Sequence, residues 1–353
     1  MSQLVLFTNK IPHHAAHSGY EQLVHYVSAD ETLVRRRHVN QTMWQRGMAR
    51  ALRGLAASRW YMWDGLEAEY QLFRHASRSK ELTVVHYLYG DTSLGLLPYL
   101  KSAMNLKLML SVHACPGDLG EIMHNPKLLH RVDKFILLGN NQKKFFLDHG
   151  IAPEKLEVVY HGVDTNYFTP LNKKRKAEKR TARRFKLLIV GNWKRNFEFY
   201  RQVLSQLNRE SLYIDVNVIT ASHNSKEFEH LSNVNVQHEV SDSQLLELYQ
   251  TSDVLLMGLK DSVANNVVLE AMACGLPVVT EEVGAIREYM GNDGIFVESN
   301  DAEVAAGYIK HFAQHPDQLT ILSKRVRQRA MNFEWHRVAG RMNEIYQEMG
   351  WRR

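Results

Sequence analysis

Residues that could bind a phosphate or a sugar are concentrated between positions 262 and 279. This segment reads as a polar loop, a helix from about residue 267 to 273, a terminating glycine at Gly275 and a strand from Pro277. An asparagine can cap such a helix, and its free N–H groups and positive dipole end favour phosphate or sugar hydroxyls. Glu270 lies about one turn inside the helix. Its carboxylate suits the two hydroxyls of a ribose, although an ordinary helix carboxylate fits the spacing equally well.

Short apolar runs that look like buried strands alternate with helix-length segments in both halves of the chain. The runs of the first half are residues 4–8, 82–85, 106–112, 134–138 and 156–160, with helices at 42–58 and 64–76. The runs of the second half are residues 185–191, 213–219, 253–257, 277–280 and 295–297. This alternation predicts two doubly wound parallel sheets, with ligands at the carboxyl ends of the strands in a cleft between two domains.

The composition is that of a globular protein. The chain has 353 residues, of which 44% are apolar and 10% aromatic, so global disorder is excluded and two domains are expected. Cys115 and Cys274 lie far apart in sequence, which argues against a disulfide scaffold and fits a reducing compartment. No stretch approaches eighteen apolar residues, and the start lacks the features of a signal peptide. We therefore expect a cytoplasmic protein.

The net charge of +6 comes from one segment. Residues 171–184 carry eight basic side chains and one acidic side chain, and positions 173–184 contain no apolar residue larger than alanine. A nucleic-acid-binding domain usually spreads its charge over a folded face, so this run predicts a solvated linker between domains and no nucleic-acid partner. A basic run can also attract anionic lipid, and contact with a membrane through this linker stays open.

Three segments carry a family resemblance. Residues 267–279, followed by 283–288, closely resemble the donor-site region of glycosyltransferase family 4, which typically reads E-G-x-x-x-x-x-x-E-A-M-A-x-G-x-P-V-V and then V-G-G-I-x-E. Residues 161–170 are similar to the family's N-G-V-D-x-x-x-F-x-P, and residues 333–339 resemble its F-S-W-E-x-V-A. The matches follow the family's order from about residue 86 onward.

The resemblance implies the GT-B fold, in which two Rossmann-like domains face each other across a cleft. It implies an acceptor-binding domain at 1–170, the linker at 171–184, a nucleotide-sugar-binding domain at 185–332 and a helix at 333–353 that packs back on the first domain. The implied activity is transfer of a sugar, with retention of configuration, from a nucleoside diphosphate sugar to a hydroxyl of a glycan, lipid-linked or small-molecule acceptor. No metal or other cofactor is implied.

The resemblance also assigns site residues in the second domain. The family's G-R-x-x-x-x-K-G loop corresponds to a loop that contains Gly191, Asn192, Lys194 and Arg195, and cations there stabilise the leaving diphosphate. We expect Arg195 to be the main clamp and Lys194 the second, unless both are ordinary exposed basic residues.

The donor-site helix departs from the family in one respect. Glu270 matches the glutamate that binds the ribose, with Asn266 and Val267 at the helix start. Eight residues before Glu270, where the family has another glutamate, stands Ser262, and Asp261 replaces that glutamate only if the loop holds one extra residue. The sequence leaves these alternatives open.

In the first domain, His113 follows a strand at the position where the family often has a histidine near the reacting sugar. A buried structural histidine is the alternative, as it is for His86 after the preceding strand. Gly19 resembles half of the family's Gly-Gly loop. His13, His14 and His17 lie in the same loop and are better explained as polar loop residues than as metal ligands, so no metal site is expected.

Two other interpretations compete with the enzyme. A non-catalytic sugar-nucleotide or glycan-binding protein would explain the missing first glutamate and the altered Gly-Arg motif. A basic nucleic-acid or membrane-surface adaptor would explain the run at residues 173–184, and the cluster at residues 35–37 also favours membrane contact. Met43, Trp44, Met48, Leu52 and Leu55 form an apolar stripe at helical spacing. Such stripes usually pack into the core, so we do not expect this one to anchor a membrane.

Overall fold

The structure, a computed structural model, describes residues 2–9, 16–35, 41–78, 80–171, 184–209, 214–229, 231 and 233–352. The chain divides into two compact units. The first contains residues 2–9, 18–162 and 335–352, and the second contains residues 16–17 and 163–334. The final helix therefore belongs to the first unit. The basic run of 173–184 lies outside the described residues, apart from Arg184.

The first unit is built on a six-stranded parallel sheet. Its strands are β1 (Gln3–Asn9), β2 (Glu31–Arg35), β3 (Thr83–Tyr87), β4 (Leu106–Val112), β5 (Lys134–Leu137) and β6 (Leu156–Val158). Their order is β2-β1-β3-β4-β5-β6. The chain order reverses between β1 and β3, so loops that follow these strands open at a topological switch point. The central strands are continuous apolar runs because helices cover both faces.

The helices of the first unit vary from four to sixteen residues. The α-helices are Met43–Arg53, Trp63–Arg78, Gly90–Ser93, Leu97–Leu100, Pro116–Ile122, Pro126–Leu129, Lys143–Asp148 and Trp335–Glu348. Short 3-10 turns lie at Tyr20–His25, Lys101–Ala103, Asn140–Gln142 and Pro153–Lys155.

The second unit is also built on six parallel strands. They are β7 (Phe185–Val190), β8 (Ile214–Ile219), β9 (Val234–Gln237), β10 (Val254–Met257), β11 (Val278–Glu281) and β12 (Ile295–Val297). Their order is β12-β11-β10-β7-β8-β9, and the reversal falls between β7 and β10. The predicted pair of doubly wound parallel sheets is confirmed.

The helices of the second unit cover its sheet and continue to the end of the unit. The α-helices are Phe197–Arg209, Asp242–Thr251, Asn266–Ala273, Ile286–Met290, Ala302–Gln314 and Pro316–Ala330. Short 3-10 turns lie at Ser222–Glu227, Gly291–Asp293 and Met331–Phe333.

Two strands lack a counterpart in the sequence prediction. β2 and β9 lie at the edges of their sheets, and their side chains are partly covered or exposed. Neither strand buries a side chain, whereas the edge strands β6 and β12 each bury one, so the sequences of β2 and β9 lack the continuous apolar run that identified the others.

The expectation that the stripe of residues 43–55 lies in the core is wrong. The helix ends at Arg53, and Met43, Trp44, Met48 and Leu55 are exposed. Ala49 is the buried residue of this helix, so the helix packs through the opposite side. Within the described residues, no helix has the length and apolar content that a membrane span requires.

Candidate functional site

Two loops lie together at the carboxyl edge of the second sheet. One follows β7 and the other follows β10, the two strands that flank the switch point. The N–H of Asn196 donates to the Gly258 carbonyl at 3.0 Å, and the N–H of Lys260 donates to the Lys194 carbonyl at 2.9 Å. These two bonds hold the loop that contains Lys194 and Arg195, the cations predicted to bind diphosphate, against the loop that follows β10. Lys194 has a left-handed backbone with φ of 54°.

Arg195 is buried within its own loop. Its Nε donates to the Val190 carbonyl and its Nη1 to the Trp193 carbonyl, both at 3.0 Å. Gly191 has φ of 102°, and a Cβ there would lie 2.4 Å from Arg195 Nη2. Burial lowers the pKa of the guanidinium. Arg195 therefore holds the loop as well as placing a positive charge at the sheet edge, whereas Asn192 beside it is exposed.

Glu281 is a buried carboxylate at the end of β11 that the sequence interpretation missed. Its Oε2 accepts the Leu259 N–H at 2.8 Å, and its Oε1 accepts the Asn300 N–H at 2.8 Å. The Asn196 amide donates to both oxygens, at 2.9 and 3.1 Å. One carboxylate thus joins the loops that follow β7, β10 and β12. The sequence feature that could have identified Glu281 is a glutamate directly after the apolar run of a central strand.

The predicted donor-sugar position lies where two loops meet. Ser262 is buried, and its carbonyl accepts the Ala285 N–H at 2.9 Å. A Cβ on Gly284, which has φ of 58°, would lie 2.0 Å from that carbonyl oxygen. Asp261 is partly exposed and its Oδ1 accepts the Ser262 N–H at 2.8 Å. Both residues therefore shape the loop backbone here.

The donor-site helix begins at Asn266, and Asn265 caps it by accepting the Val268 N–H at 3.3 Å. Asn266 and Val267 are partly exposed in its first turn. Glu270 is buried, and Tyr249 Oη donates to its Oε2 at 2.9 Å. A carboxylate offers about four acceptor positions, and the Tyr249 hydroxyl uses one of them.

Tyr249 connects Glu270 electrostatically with Arg195. Burial and the Glu270 charge raise the pKa of Tyr249 well above its ordinary value, whereas the Arg195 charge lowers it. Burial, followed by the Glu270 charge, also raises the pKa of Cys274. The tertiary structure therefore brings Glu270 and Arg195, which are 75 positions apart in sequence, close to one tyrosine.

The segment 161–170 forms a turn that anchors the same helix. Asp164 Oδ1 accepts the N–H groups of Asn166 at 3.1 Å and Tyr167 at 3.0 Å. The Asp164 Oδ2 lies 2.8 Å from His17 Nδ1, and the His17 ring stacks on Tyr167 at 3.7 Å between centroids. Arg327 donates to three carbonyls that join the turn to the helix end, those of Thr165, Phe168 and Ala273.

In the first unit, His113 lies at the end of β4 and is partly exposed. Its Nε2 is 2.7 Å from the Leu88 carbonyl and donates to it. Its backbone N–H and that of Ala114 donate to Asp91 Oδ2 at 2.9 and 2.6 Å. Burial raises the pKa of Asp91 to about 6, although these N–H bonds oppose the shift. The Tyr89 ring stacks on His113 at 4.5 Å.

Aromatic rings surround His113 on the side of the final helix. Tyr20 makes edge contacts with His113, His161 and Trp335 at 4.9, 5.3 and 5.7 Å between centroids. Gly19 precedes Tyr20 and has φ of 93°, so a residue with a side chain would be strained there.

His86 is a structural histidine. It is fully buried, with Nδ1 2.7 Å from Tyr346 Oη and Nε2 2.8 Å from Ser111 Oγ. Burial lowers its pKa to about 3, so it is neutral in the folded chain. Among the described residues no group of three or more histidine, cysteine or acidic side chains could hold a metal ion. His13 and His14 lie outside the described residues.

Comparison with known proteins agrees with this architecture. Residues 182–315 match the family model described as glycosyl transferases group 1. The structure of sucrose-phosphate synthase from Thermosynechococcus elongatus superimposes with a TM-score of 0.74 at 15% identity, covering 98% of this chain and 99% of that one. The chain carries a GT4-like glycosyltransferase domain. Its two parallel sheets form the GT-B fold.

Two further proteins are similar to this chain. The Anabaena protein HepE, solved in complex with UDP-glucose, has a TM-score of 0.71 at 14% identity and covers 98% of this chain and 100% of that one. A D-inositol 3-phosphate glycosyltransferase from Saccharomonospora viridis is 31% identical over 106 residues. That match covers 30% of this chain and spans a quarter of the relative's length.

Proposed function

We propose that this GT4-like chain is a retaining glycosyltransferase that moves a sugar from a nucleoside diphosphate sugar to an acceptor hydroxyl. The cluster of Glu270, Tyr249 and Arg195 at the switch-point edge of the second sheet carries the proposal. A buried carboxylate that accepts the Tyr249 hydroxyl lies there, the charge of the buried Arg195 guanidinium acts on the same tyrosine, and a capped helix beside them has a partly exposed first turn. A nucleotide sugar offers the complementary groups, a ribose diol and a diphosphate.

In this proposal Glu270 binds the ribose, and Arg195, Lys194 and the backbone at Gly191 stabilise the diphosphate. Negative charge increases on the diphosphate as the bond between it and the sugar breaks. Fixed donors directed at that charge lower the barrier because they need no rearrangement during the reaction. The first-turn N–H groups of Asn266 and Val267 add donors at the positive end of the helix.

The acceptor belongs to the first unit in this proposal, with His113 and Gly19 at its binding edge. The acceptor oxygen forms a bond to the anomeric carbon as the bond to the diphosphate breaks on the same face. The acceptor proton passes to the leaving phosphate oxygen, so neither a covalent enzyme intermediate nor a metal is required. The acceptor class stays open among glycans, lipid-linked acceptors and small molecules.

A second candidate is a non-catalytic sugar-nucleotide or glycan-binding protein with this fold. The burial of Ser262 favours it, because Ser262 occupies the position of the family's first glutamate and its Oγ bonds to the Val263 carbonyl at 3.3 Å. Turnover with any donor would exclude this candidate.

The test is a thermal-shift panel with UDP, GDP, ADP, CMP and their common sugar conjugates. UDP and UDP-glucose come first, since HepE was solved with UDP-glucose. A ligand at about 100 times its Kd adds about 2.7 kcal/mol to stability, which a thermal shift detects. We expect one nucleotide to stabilise the native chain, and Glu270→Ala to abolish that shift because the ribose loses its acceptor.

Two variants control this test. Glu270→Gln retains an oxygen for the Tyr249 hydroxyl, so it separates lost ribose binding from lost packing. Glu303→Ala removes an exposed glutamate of the same unit and should keep the full nucleotide shift. An unchanged shift in Glu270→Ala would contradict the proposed donor site.

A further inference from the structure

The surface of the first unit carries an apolar helix face that the proposed function does not use. In Met43–Arg53, the exposed fractions of Met43, Trp44 and Met48 are 84%, 63% and 37%. Trp44, Met48 and Ala51 are spaced by four and three residues, so they line one side of the helix. Leu55, 54% exposed, lies just past the helix end. We define Met43, Trp44, Met48 and Leu55 as the apolar face.

The helix is fixed in this orientation by its own cap and by its packing. Thr42 Oγ1 accepts the Gln45 N–H at 3.2 Å, and the Thr42 N–H donates to Gln45 Oε1 at 2.8 Å, which completes a capping box. Ala49 is buried on a different side of the helix from Trp44, and Leu52, four residues after Met48 at the edge of the apolar face, is partly buried. The outward position of the apolar face therefore follows from a formed and packed helix.

The charged side chains of the helix that carries the apolar face have one sign. Arg46 and Arg50 are exposed on the same helix. From residue 41 to residue 63 the sequence has no aspartate or glutamate and four arginines, namely Arg46, Arg50, Arg53 and Arg59. The nearby carboxylates are on other segments, where Glu121 pairs with Arg59 and Glu67 accepts from the Trp63 indole. The complementary surface is therefore both anionic and apolar.

We propose that this helix docks the chain on an anionic lipid bilayer. A bilayer surface offers negative headgroups to the arginines and an acyl boundary to the methionines, and tryptophan suits the interface between the two. A nucleic acid would match the arginines but leave Met43, Met48 and Leu55 without an apolar partner. An eleven-residue helix is too short to span a bilayer, so it lies in the interface plane.

The test is sedimentation of the full chain with vesicles of phosphatidylcholine alone and with equal parts of phosphatidylglycerol. We expect binding to the anionic vesicles and at least about tenfold weaker binding to the neutral ones. Trp44→Ser with Met48→Ser should weaken anionic binding about tenfold, because both charges and fold are retained while apolar insertion is lost. Arg46→Glu with Arg50→Glu should abolish binding.

The matched control is Ile321→Ser with Lys324→Glu, which makes equivalent changes on an exposed helix of the second unit. It should bind anionic vesicles as the native chain does. Vesicles with brominated acyl chains report insertion directly. They should quench the tryptophan fluorescence of the native chain, and most of this quenching should be lost in Trp44→Phe.

Three outcomes would overturn the proposal. The first is equal binding to neutral and anionic vesicles, or none to either. The second is loss of binding when residues 172–183 are replaced by a glycine–serine linker while the helix variants bind normally, which would assign adsorption to the basic run. The third is tight binding to an oligonucleotide that requires Arg46 and Arg50 but tolerates Trp44→Ser with Met48→Ser.

Discussion

A buried carboxylate holds loops at the carboxyl edge of each parallel sheet, but the two are used differently. In the first unit, a single oxygen of Asp91 accepts the N–H groups of both His113 and Ala114. In the second, Glu281 uses both oxygens and joins three loops through Leu259, Asn300 and Asn196.

This difference shows how the two edges are specialised. The first edge presents aromatic and imidazole rings around His113. The second edge presents backbone groups, the buried Arg195 and the buried Glu270, and the Glu281 bonds fix their loops. Fixed polar groups suit a constant ligand such as a nucleotide diphosphate, and a wall of side chains suits a variable acceptor.

The largest expected effect is loss of stability when Glu281 is removed. Glu281→Ala leaves the N–H groups of Leu259 and Asn300 and the Asn196 amide without their acceptor, and each buried unsatisfied group costs about 1–3 kcal/mol. We expect the free energy of unfolding to fall by about 3 kcal/mol or more in chemical denaturation. The neighbouring Glu282 is exposed and pairs with Arg287, so Glu282→Ala should cost less than about 1 kcal/mol.

Equal losses in the two glutamate variants would remove the distinction between a carboxylate that joins loops and a surface carboxylate. The loss of stability in Glu281→Gln should fall between the losses in Glu281→Ala and Glu282→Ala, because its amide oxygen still accepts one or two of the donors.

The next largest expected effect is a loss of turnover when a cation of the second edge is removed. Arg195→Ala should lower turnover about a hundredfold, or about 2.7 kcal/mol, once the thermal-shift panel has identified a donor. It should also lower stability, because the carbonyls of Val190 and Trp193 lose a donor. Lys194→Ala tests the second cation, and we expect a smaller loss of turnover. Steady-state rates and denaturation of both variants provide the check, and undiminished turnover in Arg195→Ala would exclude its role at the diphosphate.

The smallest effect is a pH dependence in the first unit. His86 has an ordinary pKa of 6.5 and a folded pKa of about 3, so below pH 6.5 the unfolded chain binds a proton that the folded chain does not. Asp91 has an ordinary pKa of 3.8 and a folded pKa of about 6, so between these values the folded chain holds the extra proton. As pH falls from 6 to 4, His86 therefore lowers stability and Asp91 raises it.

The variants separate these opposing contributions. Relative to the native chain, Asp91→Asn should lose stability more steeply as pH falls from 6 to 4, and His86→Gln should lose it less steeply or gain it. Each slope should change by at most about 1.4 kcal/mol per pH unit in urea denaturation. Parallel profiles for all three chains would mean that neither group titrates as the burial suggests.

Much of the fold could be predicted because it depends on local sequence pattern. The central strands are apolar runs that any buried parallel strand must have, so their positions agree to within a few residues. The helix after β10 was expected from residue 267 and begins at Asn266, since an asparagine cap and a terminating glycine mark its ends. The edge strands β2 and β9 were missed because they are only partly covered.

The stripe of residues 43–55 shows what a local sequence pattern does not predict. Helical spacing predicts that one side is apolar, but it does not state whether that side meets a core, a partner or solvent. In the folded chain the packing of Ala49 decides this, and Met43 and Trp44 are left outside.

The sequence by itself determined the two parallel sheets, the family-like motifs and the residue types at the proposed donor site, because these follow from patterns within a few dozen residues. The tertiary structure decided which polar groups are buried and what they hold. It made Arg195 a loop anchor, His86 a neutral core histidine and Glu281 the junction of three loops. The physical reason is that burial and hydrogen-bond partners come from segments far apart in sequence, so no local pattern specifies them.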